Sequence, residues 1–222
     1  MSIEERYFDS KASLLYAVES LIRETLTQSS SANYALMVSG GNTPLPVYAK
    51  IAADPMVATQ EAYLAFTDDR YVPVDSPESN YGNAKAMIEA VGLSERTLRI
   101  NPELPIEACA SDYNDALGAF LESGGQIPIA LLGLGADGHT CSLFNDEDLA
   151  RSAGRLAAPA YKDSPPDRIT VSPDLLAKVG QIIFVVVGED KAEMIDALLN
   201  APETITAGKA IAGCSSVALW RA

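Results

Sequence analysis

Apolar runs of strand length alternate with segments of helical periodicity along most of this chain, and this alternation restricts its fold more than any other feature. The longest apolar runs predict strands at 34–38, 61–67, 127–132 and 181–187. Apolar residues three and four positions apart predict helices at 10–28, 44–53, 80–91, 107–122 and 189–199. Strands joined through helices form right-handed crossovers, so the pattern predicts an α/β fold: a mostly parallel sheet with helices on both faces.

No internal repeat, low-complexity tract or long linker interrupts this pattern. Shorter strands are predicted near 97–100, 155–160, 168–172 and 215–220, with a helical turn at 173–179. Single α/β domains of about this length, 222 residues, are common. Residues 1–222 are therefore predicted to form one domain.

The composition is that of a soluble protein with a packed core, since 48% of the residues are hydrophobic and 21% are charged. The charged N-terminus has no apolar run of signal-peptide length, and no segment reaches the roughly 20 apolar residues of a membrane helix. Three widely spaced cysteines fit reduced thiols better than a disulfide framework or a zinc site: Cys109, Cys141 and Cys214. We therefore expect a cytoplasmic protein that does not act at a membrane.

The formal net charge of −14 limits the partners of the chain. No basic run is available to neutralise the phosphates of a nucleic acid, so a nucleic-acid partner is not expected. A small anionic ligand has to be held by isolated Arg and Lys side chains and by backbone amides, against a long-range field of the wrong sign. Such cations stand beside glycine-rich turns in this sequence. The oligomeric state stays open, with a monomer slightly favoured.

The first candidate site is the turn 39–44, Ser-Gly-Gly-Asn-Thr-Pro, which follows the predicted strand 34–38. With Thr43 as N-cap and Pro44 as first helical residue, the turn presents unpaired N–H groups and the positive end of a helix dipole, which suits a phosphate. The candidate ligands are Ser39, Gly40, Gly41 and Thr43. A tight strand-to-helix turn without a ligand explains the same residues equally well. The turn also nearly matches a nucleophile elbow, although Met37 replaces its first glycine.

The turn 133–138, Gly-Leu-Gly-Ala-Asp-Gly, satisfies the G-x-G-x-x-G pattern after a predicted strand. That pattern alone is weak evidence for a dinucleotide. The segment that follows is a poor start for a helix, and no strand with an acidic end completes the fingerprint about 20 residues further on. The sequence therefore does not predict a dinucleotide cofactor.

His139 is the only histidine of the chain and follows this turn directly. A single His is usually structural, but this one lies in a strand-end loop and not on an apolar face. Asp137, two residues earlier, is placed to hold the tautomer that a general base requires. One His without clustered Cys or carboxylates makes a poor metal site, so no metal is expected.

Charged residues at the ends of other predicted strands complete the candidate set. Asp68 and Arg70 follow strand 61–67 in a polar turn, where Asp68 can orient a hydroxyl or a water and Arg70 can contact a carbonyl or carboxylate. Arg168 and Lys191 stand beside strand ends and are candidate phosphate ligands. Solvated turns and surface charges explain each residue singly, so only the whole set favours a site.

Together these segments resemble the 6-phosphogluconolactonase family, within a larger group that includes glucosamine-6-phosphate deaminase. The matching segments are SGGNTP (39–44), TDDRYVP (67–73), SNYGNA (79–84), LLGLGADGHTCSLF (131–144), RIT (168–170) and VVGEDKA (186–192). The resemblance implies a modified Rossmann-like fold, a sugar-phosphate ligand, and no metal or organic cofactor. It also implies that the turn 39–43, Arg168 and Lys191 hold the phosphate. His139 is then the base, supported by Asp137 and Arg70.

The chain departs from the family pattern in its loops. Asp69 stands where Glu is common, Asn145 replaces a Pro, and the loop 145–148 is unusually acidic. The roles of Asp69 and of this loop stay open. The C-terminal stretch 212–216 also replaces a more typical Pro-Ala-Ser pattern.

The implied reaction is hydrolysis of the lactone ring of 6-phosphogluconolactone, in which neutral His139 removes a proton from the attacking water. Arg70 or nearby N–H groups would stabilise the oxyanion. One alternative is a glucosamine-6-phosphate deaminase or isomerase, although such enzymes tend to carry an acidic residue a few positions after the His. The other alternative is a sugar-phosphate sensor that keeps the loops without catalysis.

Overall fold

A seven-stranded parallel sheet organises the protein, whose computed structural model describes residues 2–222. Within these residues ten strands are numbered along the chain: β1 (Ile3–Tyr7), β2 (Tyr34–Val38), β3 (Ala62–Phe66), β4 (Asp68–Arg70), β5 (Thr97–Leu98), β6 (Gln126–Leu132), β7 (Ala157–Ala160), β8 (Arg168–Val171), β9 (Gln181–Val186) and β10 (Val217–Arg221). The parallel sheet has the strand order β1-β10-β9-β6-β2-β3-β5. The other three strands form a small antiparallel sheet in the order β4-β8-β7.

The helices cover both faces of the parallel sheet. In the described chain they are α1 (Lys11–Thr27), α2 (Leu45–Ala53), α3 (Asn80–Ala90), α4 (Ile106–Glu122), α5 (Asp146–Ser152), α6 (Pro173–Leu176), α7 (Ala192–Asn200) and α8 (Thr206–Ala210). The side chains of α1, α2 and α3 pack into one hydrophobic core, and those of α4, α6, α7 and α8 pack into another. This arrangement confirms the predicted α/β class with a mostly parallel sheet. None of these helices, within residues 2–222, is long and apolar enough to cross a membrane.

The strand β2 shows why the sheet is buried on both sides. Leu36 packs into the core with α1, α2 and α3, whereas Met37 packs into the core on the opposite face. Side chains alternate between the faces of a strand, so a strand covered on both faces needs apolar residues at consecutive positions. All five residues of β2 are buried. This explains the continuous apolar run that the sequence analysis interpreted as a strand.

Three local predictions are wrong, and each concerns a polar segment. α2 begins at Leu45 with Pro44 at the cap position and no side-chain cap, so Thr43 is not its N-cap. Residues 68–70 form β4, paired with β8, and are not a turn. The acidic residues 146–148 are the first turn of α5 and not a loop; Asn145 caps this helix by accepting a hydrogen bond from the Asp148 N–H. Acidic side chains are favourable there because they lie at the positive end of the helix dipole.

Candidate active site

Two adjoining cavities lie where the parallel strands β2, β6 and β9 end. One has a volume of about 260 Å³ and is lined by the turn 39–44, the ends of β6 and β9, and Lys191. The other, of about 180 Å³, contains the side chains of His139, Asp68 and Arg70 in its wall. The two cavities share five lining residues: Ser39, Gly40, Gly41, Gly133 and Leu134. We call them the loop cavity and the histidine cavity.

The loop cavity combines backbone donors with a cation. The N–H groups of Gly40, Gly41 and Asn42 donate no hydrogen bond to any residue within 2–222. Gly41 has a φ of +90°, a conformation that side chains with a Cβ rarely adopt and that glycine tolerates. The Lys191 side chain is 21% exposed, and its nearest carboxylate is that of Asp190, at 3.9 Å. Free N–H groups beside a lysine form a suitable pocket for a phosphate.

In the histidine cavity, Asp137 fixes the orientation of His139. The Asp137 carboxylate hydrogen-bonds to Nδ1 of the His139 ring. Partial burial favours a higher pKa for Asp137, but the hydrogen bond and charge of His139 outweigh it, so the pKa lies below its ordinary value. An ionised carboxylate only accepts hydrogen bonds, so Nδ1 carries a proton and Nε2 keeps a lone pair in the neutral ring. The arrangement therefore suits His139 to act as a general base.

The glycines of the turn 133–138 shape this histidine loop. A Cβ at Gly135 would overlap both the His139 ring and the Asp137 carboxylate, so the ring folds over a position that only glycine can occupy. Gly138 has a φ of +80°. The next helix, α5, begins only at Asp146, so no helix N-terminus follows the G-x-G-x-x-G turn directly. The pattern is thus explained by the path of the histidine loop, without a dinucleotide.

The antiparallel pairing of β4 with β8 brings Arg70 opposite Arg168. Arg70 donates to the backbone carbonyl of Glu78 at 2.7 Å, and Arg168 donates to the carbonyls of Pro166 and Asp167. Within residues 2–222, neither guanidinium lies within ion-pair distance of a carboxylate. Burial and the neighbouring Arg70 lower the pKa of Arg168. Two adjacent cations without an anionic partner form a place where an anion would be stabilised.

The structure separates two residues that the sequence analysis grouped as phosphate ligands. Lys191 lines the loop cavity together with Ser39, Gly40, Gly41 and Thr43. Arg168 lines neither cavity and lies beside Arg70, which is in the wall of the histidine cavity. The cations therefore stand at two ends of the joined cavities.

Asp68 and Asp69 are both buried but face different parts of the structure. Asp68 accepts hydrogen bonds from the hydroxyls of Ser142, at 2.7 Å, and Thr67, at 3.1 Å, and it lines the histidine cavity. The Asp69 carboxylate accepts hydrogen bonds from three backbone N–H groups, those of residues 70, 80 and 81, at 2.6–3.0 Å. Despite these donors, burial raises the pKa of Asp69 to about 6. Asp69 thus joins β4 to the first turn of α3, which gives the open position 69 a structural role.

Several residues of the site were not singled out in the sequence. Ser142 connects Asp68 to the histidine loop, and its N–H donates to the Thr170 hydroxyl at 3.1 Å. The ring of Phe144 packs against the His139 ring with 4.8 Å between their centroids. Cys141 lines the histidine cavity and is the non-glycine residue with positive φ, 52°, in the described range. Burial raises the pKa of the Cys141 thiol well above its ordinary value, which disfavours the reactive thiolate.

The acidic segment 145–148 supports the loop that carries His139. The carboxylate of Asp148 is buried and accepts a hydrogen bond from the N–H of Phe144 at 3.0 Å. It also pairs with Arg151 at 2.8 Å. No group of three or more His, Cys, Asp or Glu side chains is placed to hold a metal ion anywhere in 2–222. The Asp148 carboxylate therefore supports α5 and the adjacent backbone, whereas Asp146 pairs with Lys209 of α8 at 2.6 Å.

Comparison with known proteins places this arrangement in a family. The sequence profile described as Glucosamine-6-phosphate isomerases/6-phosphogluconolactonase matches residues 9–218. The chain belongs to this family. Its predicted membership is thereby confirmed.

Individual relatives agree with the profile. The chain is 36% identical to the 6-phosphogluconolactonase of Homo sapiens over 186 residues, which cover 78% of this chain and 70% of the human protein. It is 32% identical to the 6-phosphogluconolactonase of Synechocystis over 196 residues, which cover 85% of this chain and 80% of that protein. The crystal structure of 6-phosphogluconolactonase from Thermotoga maritima has a TM-score of 0.82 at 22% identity, with 99% of both chains covered. At that identity the structural match supports the fold alone.

Proposed function

We propose that this protein hydrolyses the lactone ring of 6-phosphogluconolactone, giving 6-phosphogluconate, and that residues 1–222 act as one α/β domain. The observation that carries the proposal is the position of the His139–Asp137 pair beside a cavity rich in phosphate-binding groups. Relatives named 6-phosphogluconolactonase support the choice of substrate. A phosphorylated lactone has the two features that the joined cavities would bind, a dianion at one end and an ester carbonyl at the other.

The proposed reaction uses water and one imidazole. Nε2 of His139 removes a proton from water while the water oxygen bonds to C1 of the lactone, and the carbonyl oxygen becomes an oxyanion. The C1–ring oxygen bond then breaks, and His139 returns its proton to the departing ring oxygen. The product is an open-chain carboxylic acid, which ionises. General base assistance contributes about 10²–10⁴-fold, and positioning supplies further acceleration, so no covalent intermediate is required.

The other residues of the set bind the substrate. The N–H groups of the turn 39–42, the Ser39 and Thr43 hydroxyls and Lys191 hold the phosphate in the loop cavity. Arg70 stabilises the oxyanion or the carboxylate of the product. Arg168, whose acceptors among residues 2–222 are main-chain carbonyls, lies at the Arg70 end, so we assign it to the anion that forms there and not to the phosphate in the loop cavity. Asp68 accepts a hydrogen bond from a substrate hydroxyl or orients the attacking water.

Ring opening of freshly generated 6-phosphogluconolactone tests the proposal, with the spontaneous rate measured in parallel and each reaction run with and without EDTA. We expect acceleration by the wild type and a loss of about 10²-fold or more in kcat for His139→Ala, with little change in KM. Equal turnover by both proteins would exclude His139 as the base. Acceleration that EDTA abolishes and a metal ion restores would exclude the cofactor-free reaction.

If neither protein accelerates ring opening, the lactonase proposal fails. The next measurement is ammonia release from glucosamine 6-phosphate, since the family also contains isomerases of that substrate. Binding of sugar phosphate without any turnover would then leave the sensor as the remaining alternative.

A further inference from the structure

Asn80 connects the two sides of the candidate site. It is the first residue of α3, it is 2% exposed, and it lies in the wall of the histidine cavity. Its Nδ2 donates to the backbone carbonyl of Asp68 at 2.9 Å, which fixes the orientation of the amide because the opposite orientation would place two oxygens together. Its own N–H donates to Asp69 at 2.6 Å. One edge of this side chain is therefore fixed to the strand that carries Arg70.

The other edge of the amide faces Gly40 in the phosphate-binding turn. A Cβ built on Gly40 would overlap Oδ1, Cγ and Nδ2 of Asn80, and these are its three nearest atoms. The φ of Gly40 is not positive, so the backbone conformation at this position is one that alanine can also adopt. Asn80 is thus the reason that this position has to be glycine. The amide packs directly on the Gly40 backbone and sets how close the turn comes to β4.

The Oδ1 atom of Asn80 is buried and accepts no hydrogen bond from any residue between 2 and 222. A buried acceptor without a donor is unfavourable, and native structures contain few of them. The N–H groups of Gly40 and Gly41 lie in the segment packed on this amide, and they have no acceptor within the described chain either. Donors without an acceptor therefore lie beside an acceptor without a donor.

We propose that Asn80 is a positioning residue that holds the turn 39–41 in its phosphate-binding conformation relative to Arg70. When an anion occupies the turn, the Gly40–Gly41 backbone settles on the Asn80 amide, and one of its N–H groups donates to Oδ1 while the others bind the anion. Asn80 does not touch the reacting atoms. The proposal rests on the proposed function in one respect, which is that the turn 39–43 binds the phosphate of the substrate.

The test is a double-mutant cycle with Asn80→Ala, Gly40→Ala and the combination of both. Removing the Asn80 amide should raise KM about tenfold, the effect of about one hydrogen bond, with kcat changed by less than about threefold. Gly40→Ala should raise KM at least as much because the new methyl group overlaps the amide. In the Asn80→Ala background the same methyl group has space, so the added effect of Gly40→Ala should nearly vanish.

Two control variants separate this effect from general damage. Asn83→Ala removes another amide of α3 that bonds a backbone carbonyl, that of Pro77, and Gly118→Ala adds a methyl group to α4 with only an ordinary contact at 3.8 Å. Neither should change KM. Thermal unfolding of every variant checks folding. If Asn80→Ala does not fold, Asn80→Ser, which also removes the amide, replaces it in the cycle.

The outcomes distinguish this inference from the proposed function. Additive effects on KM, or a loss confined to kcat, would overturn the role of Asn80 in an active enzyme. If the wild type does not open the lactone, the same cycle is measured by calorimetric binding of inorganic phosphate. Non-additive loss of phosphate affinity would then support Asn80 although the proposed reaction has failed, and additive or absent changes would overturn it.

Discussion

Asp137 determines which nitrogen of His139 is protonated, although its own side chain is 64% exposed and lines neither cavity. Proximity in the sequence alone does not establish this role of Asp137, because the side chains of two residues in one turn can point in different directions. Gly135 makes the contact possible, since any Cβ there would displace both partners. The proposed base is therefore a unit of three residues, of which His139 and Gly135 line the histidine cavity and Asp137 does not.

Replacing Asp137 by Asn separates orientation from substrate binding. The Asn amide can donate to Nδ1, which places the proton of the neutral ring on Nε2 and removes the base. We expect kcat to fall by about 10²-fold or more, while KM stays within about threefold because Asp137 does not line the site. Steady-state kinetics on the lactone measure both quantities. Asp146→Asn, which alters an exposed carboxylate paired with Lys209, is the control and should behave as wild type. A rise in KM without loss of kcat would contradict the orienting role.

At the scale of elements, six of the seven strands of the parallel sheet follow from the sequence, and the edge strand β1 does not. In the small sheet β7 and β8 were predicted, whereas β4 and the pairing of the three strands were not. β2 and β9 are continuous apolar runs, which is the pattern of strands covered on both faces. Most ends of the amphipathic helices lie within one or two residues of the predicted positions. β4 was missed because its residues, Asp68 to Arg70, are polar and its partner β8 is distant in sequence. Its buried carboxylates accept hydrogen bonds from residues distant in sequence, Ser142 and the start of α3, as well as from their neighbours.

The candidate site shows the same division. Strand-end position was enough to predict that His139, the turn 39–44 and Lys191 lie near one another, since all parallel strands end at one edge of the sheet. Asn80 and Ser142 lie in segments that match the family, but no role was predicted for them because they act through partners that only the folded chain brings near. The separation of Arg168 from Lys191 also depends on β4 and β8, whose pairing local periodicity cannot reveal.

The junction of β4 with α3 depends on Asp69. Asp69→Asn puts an amide NH₂ in place of one carboxylate oxygen, so at least one of three buried backbone N–H groups loses its acceptor. We expect the free energy of unfolding in urea to fall by about 1–3 kcal/mol at pH 7. Asp75→Asn, at an exposed position of the following loop, should change it little. Equal stability of the two variants would show that Asp69 does not hold this junction.

The raised pKa of Asp69 predicts that the stability of the fold depends on pH. Burial raises the pKa of Asp69 to about 6 from an ordinary value of 3.8, so between these values the folded state binds more protons than the unfolded state. Stability contributed by this group therefore increases as pH falls from 7 towards 4, by at most about 3 kcal/mol. Asp69→Asn lacks the group, so the difference in stability between wild type and variant should widen over this range. Urea unfolding at a series of pH values measures it, and a constant or narrowing difference would contradict the raised pKa.

At the scale of the whole molecule, a chain of net charge −14 is proposed to bind a dianion. The long-range field opposes binding, whereas the local arrangement favours it. Lys191 and the N–H groups of the turn line one cavity, and two guanidiniums that pair with no carboxylate among residues 2–222 stand at the other. Charges beyond about 10 Å are largely screened at physiological ionic strength, so the local groups should dominate. The position of a charge in the fold then matters more than the total.

Two lysines allow a test of whether the position of a charge matters more than the total, because replacing either one changes the net charge by the same amount. Lys191→Met removes a partly buried cation of the loop cavity, and Lys178→Met removes an exposed cation near the end of α6. Both variants lose one positive charge, but only the first loses a charge-assisted contact to the phosphate, which contributes about 1.5–3 kcal/mol. We expect KM for the lactone to rise about 10- to 100-fold for Lys191→Met, with kcat nearly unchanged, and to stay within about twofold for Lys178→Met. Equal effects of the two substitutions would mean that the overall field governs binding and that the loop cavity is not the phosphate site. A loss in Lys191→Met confined to kcat would move Lys191 from the phosphate to the reacting end of the substrate.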